Sequence, residues 1–325
     1  MTDDERRVLI IGGGMSGMCL AMQLKRAAIP FLILEKAEEL GGTWWYNTYP
    51  GCQCDIPSQL YSFSFAPNPH WTRVWPGQPE ILEYLKECAR KFGLYEHTRL
   101  GVKALGARFD AVQAMWTVPC EDGSTERARF LVNATGPLHA PRYPDVPGLD
   151  SFSGPSFHTS MWRDDVPLEG KRVGVVGSAA SAVQLIPHVA RQASKLMVYQ
   201  RTPNYVLEKP DRPYSEIEKR LFSMLPATQK LYRAAHYTLQ ELLFATIFTP
   251  ERPTASLLRG QMEKYIREMV TDPELLGKVM PSYLPGCKRI LFENDYYPAL
   301  QRPNVTLTTD SIEAVEADGI RAGGQ

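Results

Sequence analysis

A glycine-rich turn near the start of the chain limits its fold more than any other sequence feature. The apolar run Val8–Ile11 is too short for a helix and is typical of a buried parallel strand. Gly12, Gly14 and Gly17 follow it, and a helical pattern then covers residues 18–26. Between a strand and a helix, this spacing allows a tight turn, a close approach of a pyrophosphate to the backbone, and packing of the helix on the strand. The pattern predicts a dinucleotide site at the helix N-terminus.

The first β–α–β unit ends in an acidic residue. Its second strand, Phe31–Leu34, is again short and apolar, and Glu35 follows it, 23 positions after Gly12. A carboxylate at that distance from the turn can accept hydrogen bonds from the ribose hydroxyl groups of a bound dinucleotide. We therefore predict that Glu35 binds the ribose in the first site.

A second turn of the same kind lies in the middle of the chain, after the apolar strand at 173–176. The residues predicted to contact a nucleotide there are Gly177, Ser178, Ala179 and Ser181. Ala179 replaces the second glycine of the fingerprint and adds one methyl group close to the predicted pyrophosphate position. The turn therefore predicts a second dinucleotide site that departs from the usual pattern at one position.

The strand after the second turn leads to Arg201 and Thr202 rather than to an acidic residue. Arg201 stands 24 positions after Gly177, close to the relative position of Glu35 in the first unit. A guanidinium there suits the 2′-phosphate of NADPH, so this site is predicted to prefer NADPH to NADH. Two dinucleotide sites in one chain indicate two redox cofactors, a flavin (FAD) in the first site and a nicotinamide in the second.

Composition argues against several other classes of protein. The chain has 36 basic and 36 acidic residues, and this balance argues against a nucleic-acid or anionic-membrane binder. No stretch reaches the roughly 18 apolar residues of a membrane span. The six cysteines are scattered, and Cys52 and Cys54 lack the spacing of a zinc site or a redox-active disulfide, so no metal is expected. The charged N-terminus has no apolar signal segment, so we expect a cytoplasmic location.

The chain divides into four predicted segments. Residues 1–150 form an FAD-binding domain with a β-meander, whose predicted strands lie at 107–109, 116–118 and 130–133. Residues 151–213 form the first part of an NADPH-binding domain. Strand patterns disappear in residues 214–284, which are predicted to be a helical insertion. Residues 285–325 return to the NADPH-binding domain without completing it. The predicted fold class is α/β, with two Rossmann-like dinucleotide-binding domains.

Residues 152–162 carry the most specific motif of the chain. Phe152, Gly154, His158 and Trp162 match the pattern F-x-G-x-x-x-H-x-x-x-W, directly before the second dinucleotide unit. With this motif the chain resembles the Baeyer–Villiger type of flavin-containing monooxygenase, from about residue 8 to residue 321. Arg163 departs from the family pattern, which usually has Pro or Asp at this position. The resemblance implies a structural role for His158 rather than a chemical one.

Two segments before the second dinucleotide unit extend the resemblance to the flavin site. Residues 41–55 are similar to the family's flavin-side loop, which implies FAD contacts from Thr43, Trp44 and Asp55. Residues 133–136 (Asn-Ala-Thr-Gly) resemble the strand end that returns to the FAD.

A segment late in the chain resembles the part of the family that carries its active-site arginine. This segment is 285–289, and the resemblance implies that the arginine is Arg289, oriented by Asp55. Lys288 is implied to hold the 2′-phosphate together with Arg201 and Thr202.

The resemblance also implies the reaction. NADPH reduces FAD, the reduced flavin reacts with O2 to give a C4a-peroxyflavin, and this species inserts one oxygen atom into a ketone to form an ester or lactone. A permanently charged guanidinium suits this chemistry, because it stabilises anionic oxygen without acting as an acid that quenches the nucleophile. The expected catalytic residues are therefore Arg289 and Asp55.

Two other functions remain open from the sequence. The first is an N- or S-oxygenating flavin monooxygenase, or an NADPH oxidase, acting on a heteroatom substrate or on O2 alone. The second is a non-catalytic nucleotide-binding chain or subunit, which Ala179 favours and Arg289 and Asp55 oppose. Since family members extend beyond residue 325, a C-terminal part of the fold is expected to be missing here, or to come from a partner chain.

Overall fold

The computed structural model describes residues 7–138, 140–247, 249 and 253–324. The described residues form two compact units. The first unit takes its residues from 1–48, 63–68 and 78–142, and the second from 49–62, 69–77 and 143–325.

The first unit combines short strands with helices. Its strands are β1 (Val8–Ile11), β2 (Phe31–Leu34), β3 (Thr98–Arg99), β4 (Arg108–Asp110), β5 (Met115–Pro119), β6 (Thr125–Ala128) and β7 (Phe130–Asn133). Its α-helices are α1 (Met15–Arg26), α2 (Thr43–Tyr46) and α3 (Gln78–Lys91).

A parallel sheet in the order β3-β2-β1-β7 forms the centre of the first unit. Leu9 of β1 is fully buried, as expected for a strand in the interior of a parallel sheet. Helix α1 connects β1 to β2 and buries Met18 and Met22, which are one helical turn apart. Because both strands run in the same direction, the turn at Gly12 and the side chain of Glu35 lie at the same edge of the sheet.

Strands β4, β5 and β6 form the antiparallel meander. The sequence pattern predicts its third strand at 130–133, and this prediction is wrong, because β7 pairs in parallel with β1. The run Phe130–Asn133 is mostly apolar, which is typical of a strand inside a parallel sheet. The true third strand, β6, has the polar sequence Thr-Glu-Arg-Ala, and so gives no apolar pattern.

The second unit contains the remaining elements. Its strands are β8 (Arg172–Val176), β9 (Lys195–Tyr199), β10 (Val206–Leu207), β11 (Leu291–Phe292), β12 (Val305–Thr308), β13 (Ile312–Glu316) and β14 (Gly319–Ala322). Its α-helices are α4 (Ala180–Gln192), α5 (Glu216–Met224), α6 (Pro226–Ile247), α7 (Pro253–Met269), α8 (Pro273–Val279) and α9 (Tyr296–Leu300).

A second parallel sheet, in the order β12-β9-β8, is built around the second glycine turn. Helix α4 connects β8 to β9 and packs its apolar side, including Val183 and Ile186, into the core. Met262 and Ile266 of α7 join the same core. Strands β10 and β11 form a separate parallel pair.

Helices α5 to α8 lie within residues 214–284, the range in which the sequence loses its strand patterns. Helix α5 begins with a capping box, in which Ser215 and Glu218 satisfy each other's backbone N–H groups. Among the helices that the structure describes, none combines the length and the apolar composition that crossing a membrane requires.

The two units are not contiguous in sequence. Residues 49–62 and 69–77 belong to the second unit, although they precede much of the first unit in sequence. The physical reason is their hydrogen bonding, because Tyr49 and Gln53 both bind Gln184 of α4. The loop that contains Asp55 is therefore part of the second unit.

Candidate functional site

The first glycine turn has the geometry of a nucleotide cradle. A Cβ atom on Gly12 would lie 2.5 Å from the carbonyl oxygen of Ala134, and a Cβ atom on Gly17 would overlap the carbonyl oxygen of Gly12. A Cβ atom on Gly14 would make only an ordinary van der Waals contact, 3.6 Å from the Cα atom of Gly42. Gly14 is also the N-cap of α1, and no side chain caps the helix there. Free N–H groups at a helix N-terminus suit an anionic pyrophosphate.

Glu35 lies buried at the end of β2, beside the first turn. One carboxylate oxygen accepts a hydrogen bond from the Gly13 N–H (2.6 Å) and the other accepts one from the Ala37 N–H (2.8 Å). These bonds fix the carboxylate against the turn and leave each oxygen a further acceptor position. The geometry is compatible with the ribose-binding role predicted for Glu35.

The flavin-side loop packs directly against the first turn. Gly42 has a positive φ of 55°, and a Cβ atom there would lie 2.8 Å from the Cα atom of Gly14. Thr43 begins α2 and is exposed. Trp44 is buried, and its carbonyl oxygen accepts a hydrogen bond from the side-chain amide of Gln78. Thr43 is therefore accessible at the turn, whereas Trp44 supports the loop from the core.

The second turn is linked by hydrogen bonds to the loop that follows β9. Gly177 has a φ of 111°, a conformation that favours glycine. The Ser178 hydroxyl group donates to the carbonyl oxygen of Thr202 (3.1 Å), and the Asn204 side chain donates to the carbonyl oxygen of Ser178 (2.6 Å). Ala179 is the N-cap of α4 and no side chain caps that helix, so its first N–H groups are available to an anion. This link places Thr202 beside the turn.

A turn at Pro285 and Gly286 brings Lys288 to the same region. The Cys287 N–H donates to the Leu284 carbonyl oxygen (3.2 Å), and Gly286 has a φ of 92°, as in a type II turn with Pro and Gly at its centre. The chain therefore folds back, and the Lys288 ammonium lies 5.1 Å from the centroid of the Tyr283 ring.

Tyr283 connects this turn to the loop that contains Arg201. Its hydroxyl group donates to the carbonyl oxygen of Pro203 (3.0 Å), and its own carbonyl oxygen accepts a hydrogen bond from the Tyr205 hydroxyl group (3.0 Å). Arg201 and Lys288 are both exposed. Tyr283 thus tethers the Lys288 turn to the loop that follows Arg201 and Thr202.

Arg289 and Asp55 form an ion pair, although 234 positions separate them in sequence. Nη2 of Arg289 donates to Oδ1 of Asp55. The exposure of the two side chains differs: 63% of the Arg289 side chain is exposed, but only 12% of the Asp55 side chain. The Arg289 guanidinium is therefore largely exposed to solvent, and its ion-pair partner is a mostly buried carboxylate.

Helix α4 fixes the loop that carries Asp55. The Gln184 side chain donates to the carbonyl oxygen of Gln53 (2.9 Å) and accepts a hydrogen bond from the Tyr49 hydroxyl group (2.9 Å). Gly51 has a φ of 82°, and a Cβ atom there would lie 2.7 Å from the carbonyl oxygen of Gln184. The helix that begins at the second glycine turn thus also positions the carboxylate that binds Arg289.

The motif at residues 152–162 is explained by aromatic packing within the second unit. A Cβ atom on Gly154 would lie 2.7 Å from the Phe152 ring, so the ring packs closely over the glycine. His158 Nδ1 accepts a hydrogen bond from the Ser160 N–H (3.1 Å), and the His158 ring packs edge-on against Tyr143. Burial lowers the pKa of His158. These contacts give His158 a structural role.

The cysteines are free thiols and unsuited to dithiol redox chemistry. Burial raises the pKa of Cys52 to about 11 and that of Cys54 to about 12. Redox-active cysteines have lowered pKa values, because the thiolate is the reactive form. Cys287, by contrast, is exposed.

Alkylation should therefore distinguish these thiols. At pH 8 we expect iodoacetamide to modify Cys287 first and to modify Cys52 and Cys54 at least about tenfold more slowly, since their thiolate fractions are very small. Peptide mass spectrometry of timed samples measures the order, and denatured protein, in which all thiols should react alike, is the control. Fast labelling of Cys52 in the folded protein would contradict the burial argument.

Sequence reasoning missed two residues that build this site. Gln184 looks like an ordinary polar residue of an amphipathic helix, yet it is buried and binds the Asp55 loop. Tyr283 has no local motif at all. Only its two long-range hydrogen bonds reveal that it joins the Lys288 turn to the Arg201 loop.

Comparison with known proteins gives matches along nearly the whole chain. The family model described as "Pyridine nucleotide-disulphide oxidoreductase" matches residues 9–238. A Baeyer–Villiger monooxygenase of Pseudomonas aeruginosa is 43% identical over 98% of this chain and 60% of its own length. Another, of Streptomyces coelicolor, is 41% identical over 97% of this chain and 62% of its own length. The chain therefore spans about three fifths of the length of these relatives.

A solved structure shows the same fold. The crystal structure of OTEMO in complex with FAD and NADP is 29% identical, superposes with a TM-score of 0.86, and covers 98% of this chain and 68% of that chain. The predicted α/β class with two Rossmann-like dinucleotide-binding domains is thereby confirmed. The predicted resemblance to Baeyer–Villiger monooxygenases is confirmed by the two bacterial relatives.

Proposed function

We propose that this chain, which belongs to the pyridine nucleotide-disulphide oxidoreductase family, is an FAD- and NADPH-dependent monooxygenase that inserts one oxygen atom of O2 into a ketone. The observation that carries the proposal is the ion pair of Arg289 and Asp55, which lies in the same unit as the second glycine turn. The Baeyer–Villiger relatives and the solved structure with FAD and NADP support it.

The first glycine turn is proposed to hold FAD. Gly14, which has no side chain, would let the pyrophosphate approach the backbone, the uncapped start of α1 would offer N–H groups to it, and Glu35 would accept hydrogen bonds from the ribose. Thr43 is proposed to contact the cofactor from the flavin-side loop, and Trp44 to support that loop from the core. When bound, FAD supplies the hydride acceptor and the site at which O2 is activated.

Arg289 is proposed to stabilise the negative charge that develops on the attacking oxygen and on the substrate carbonyl oxygen. A guanidinium stays protonated at any working pH, so it offers N–H donors without giving up a proton. Asp55 holds the guanidinium in place through the ion pair. Preorganised donors of this kind often supply the largest share of a rate enhancement.

The second glycine turn is proposed to hold NADPH. The pyrophosphate would bind at Gly177, Ser178, Ala179 and Ser181, at the uncapped start of α4. The 2′-phosphate would bind Arg201, Thr202 and Lys288, on the two segments that Tyr283 joins.

The free cysteine thiols support a reducing, cytoplasmic location.

Removing Arg201 should weaken the preference for NADPH. Because a hydrogen bond to a charged group contributes about 1.5–3 kcal/mol, Arg201→Ala should raise the KM for NADPH about tenfold to a hundredfold and leave the KM for NADH unchanged. Anaerobic flavin reduction at several concentrations of each nucleotide measures both values. Arg267→Ala, which removes an exposed arginine of α7, is the control. Equal changes for NADH and NADPH would show that Arg201 does not bind the 2′-phosphate.

The proposed reaction is tested by offering the protein a cyclic ketone and a thioether, separately, with FAD, NADPH and O2. Formation of the lactone would support the proposal. Formation of the sulfoxide alone would favour the heteroatom-oxygenating alternative. NADPH consumption with hydrogen peroxide as the only product would indicate an oxidase, and the absence of NADPH consumption would leave a nucleotide-binding chain.

A further inference from the structure

Lys209 is a buried lysine whose ammonium group has no hydrogen-bond partner within the part of the chain that the structure describes. Only 5% of the residue is exposed. Asn294 fixes its backbone, because the Lys209 N–H donates to the Asn294 side-chain oxygen (2.7 Å) and the Asn294 side-chain amide donates to the Lys209 carbonyl oxygen (3.1 Å). Burying an unpaired cation is costly, so a fold that holds one firmly in place suggests a use for it.

The surroundings of Lys209 connect it to Asp55. The ammonium lies over the ring of Trp75, 5.4 Å from its centroid. Residues 75–77 run beside residues 53–55, since the Cys54 N–H donates to the Pro76 carbonyl oxygen (3.1 Å). Lys209 therefore lies beside the loop that carries Asp55, within electrostatic range of its carboxylate.

Three carboxylates act on the Lys209 ammonium without forming a hydrogen bond to it. Each already has another partner: Asp211 binds Arg73, Glu293 binds Gln53, and Asp55 binds Arg289. Burial lowers the pKa of Lys209, and these carboxylates, together with Cys54, oppose that shift. Of the three, Asp55 is the one whose partner is a largely exposed side chain of the candidate active site.

The two side chains of the Asp55–Arg289 ion pair differ in exposure, and this difference gives Lys209 a role. The Arg289 side chain is 63% exposed, and among the residues that the structure describes it forms a side-chain hydrogen bond with Asp55 alone, so it can move outward at little cost. Asp55, with 12% of its side chain exposed, would then be left as an unpaired and mostly buried charge. We propose that Lys209 is a positioning residue that acts as a second counter-ion for Asp55, so that the Arg289 guanidinium can leave the carboxylate.

The use of this exchange rests on the proposed function. If Arg289 leaves the ion pair when it stabilises a reacting oxygen, it binds that oxygen and Asp55 in turn during a catalytic cycle. Each time the Arg289 guanidinium leaves, Asp55 loses its ion-pair partner. The Lys209 ammonium then compensates the charge of the Asp55 carboxylate. The exchange itself involves only the folded protein, so it can be measured without catalysis.

A double-mutant cycle on stability tests the exchange. The variants are Arg289→Met, Lys209→Met and the double variant, each also made with Asp55→Asn, and urea unfolding gives the unfolding equilibrium constant. Either single change leaves Asp55 one cation, whereas the double change leaves none. Each single variant should raise the unfolding equilibrium constant by some factor. We expect the double variant to raise it at least about tenfold more than the product of those two factors.

The Asp55→Asn background separates a counter-ion from a merely structural lysine. In this background position 55 carries no carboxylate. The excess destabilisation of the double variant should therefore disappear, and the changes at Arg289 and Lys209 should act independently. Lys264→Met, which removes an exposed lysine of α7, should show no excess with Arg289→Met. Independent effects of Arg289 and Lys209 while Asp55 is present would overturn the proposal, as would an excess that persists with Asp55→Asn.

A crystal structure of the Arg289→Met protein keeps the proposal testable if Lys209→Met does not fold. The expected result is the Lys209 ammonium within hydrogen-bond distance of the Asp55 carboxylate. An ammonium that stays over Trp75, with Asp55 unpaired, would overturn the proposal. Failure of the proposed function appears separately. In that case the variants show the coupling between Arg289 and Lys209, but the wild-type protein oxygenates no substrate.

Discussion

Replacing Arg289 with alanine should lower the rate of oxygen insertion at least about a hundredfold and leave the reduction of flavin by NADPH intact. The guanidinium is expected to act only where negative charge develops on oxygen, and hydride transfer does not need it. Loss of one such donor costs about a hundredfold to a thousandfold in rate. Stopped-flow reduction under anaerobic conditions measures the first step, and the yield of oxygenated product per NADPH consumed measures the second.

Arg191→Ala is the matched control for this variant. Arg191 is also an exposed arginine of the second unit that is paired with an aspartate, Asp295, but it lies outside the candidate site. It should retain both steps. Unchanged product yield in Arg289→Ala would remove Arg289 from the mechanism, and an equal loss of flavin reduction would show that its role is in nucleotide binding.

Replacing Gly17 with alanine should remove bound flavin. The added Cβ atom would overlap the carbonyl oxygen of Gly12, so the turn must open where the pyrophosphate is proposed to bind. Overpacking of this kind costs about 1–3 kcal/mol, and we expect FAD binding to weaken about tenfold to a hundredfold. Titration of the flavin-free protein with FAD, followed by fluorescence, measures the change.

Gly277→Ala is the control for the glycine variant. A Cβ atom on Gly277, in helix α8, would meet no other atom within 4 Å, and its φ is not positive. Alanine there should leave FAD binding unchanged and stabilise the helix slightly. If Gly17→Ala bound FAD as tightly as the wild type, the first turn would not be the flavin site.

The glycine turns could be predicted because their evidence is local. A short apolar strand, three spaced glycines and a helical pattern lie within some twenty residues, and each follows from backbone geometry. The third meander strand could not be predicted in this way. A sequence pattern takes the more apolar run as the next strand of a meander. Here the apolar run is β7, which lies in the parallel sheet, and the next meander strand is β6, which has a polar sequence.

The candidate site depends on contacts that no local pattern contains. Asp55 and Arg289 meet across 234 positions, and their pairing was expected only from the family resemblance. Lys209 stands in the polar sequence Glu-Lys-Pro-Asp-Arg and looks like a surface residue, yet the packing of Trp75 and the clamp from Asn294 bury it. A buried polar group can be recognised only when its distant neighbours are known.

The visible spectrum of the protein, after incubation with FAD and removal of unbound flavin, tests the central claim most directly. The account predicts about one bound flavin per chain, which bleaches when NADPH is added without oxygen and bleaches far more slowly with NADH. A folded protein that emerges colourless, or whose flavin NADPH leaves oxidised, would contradict the claim that its two glycine turns are the FAD and NADPH sites of a monooxygenase.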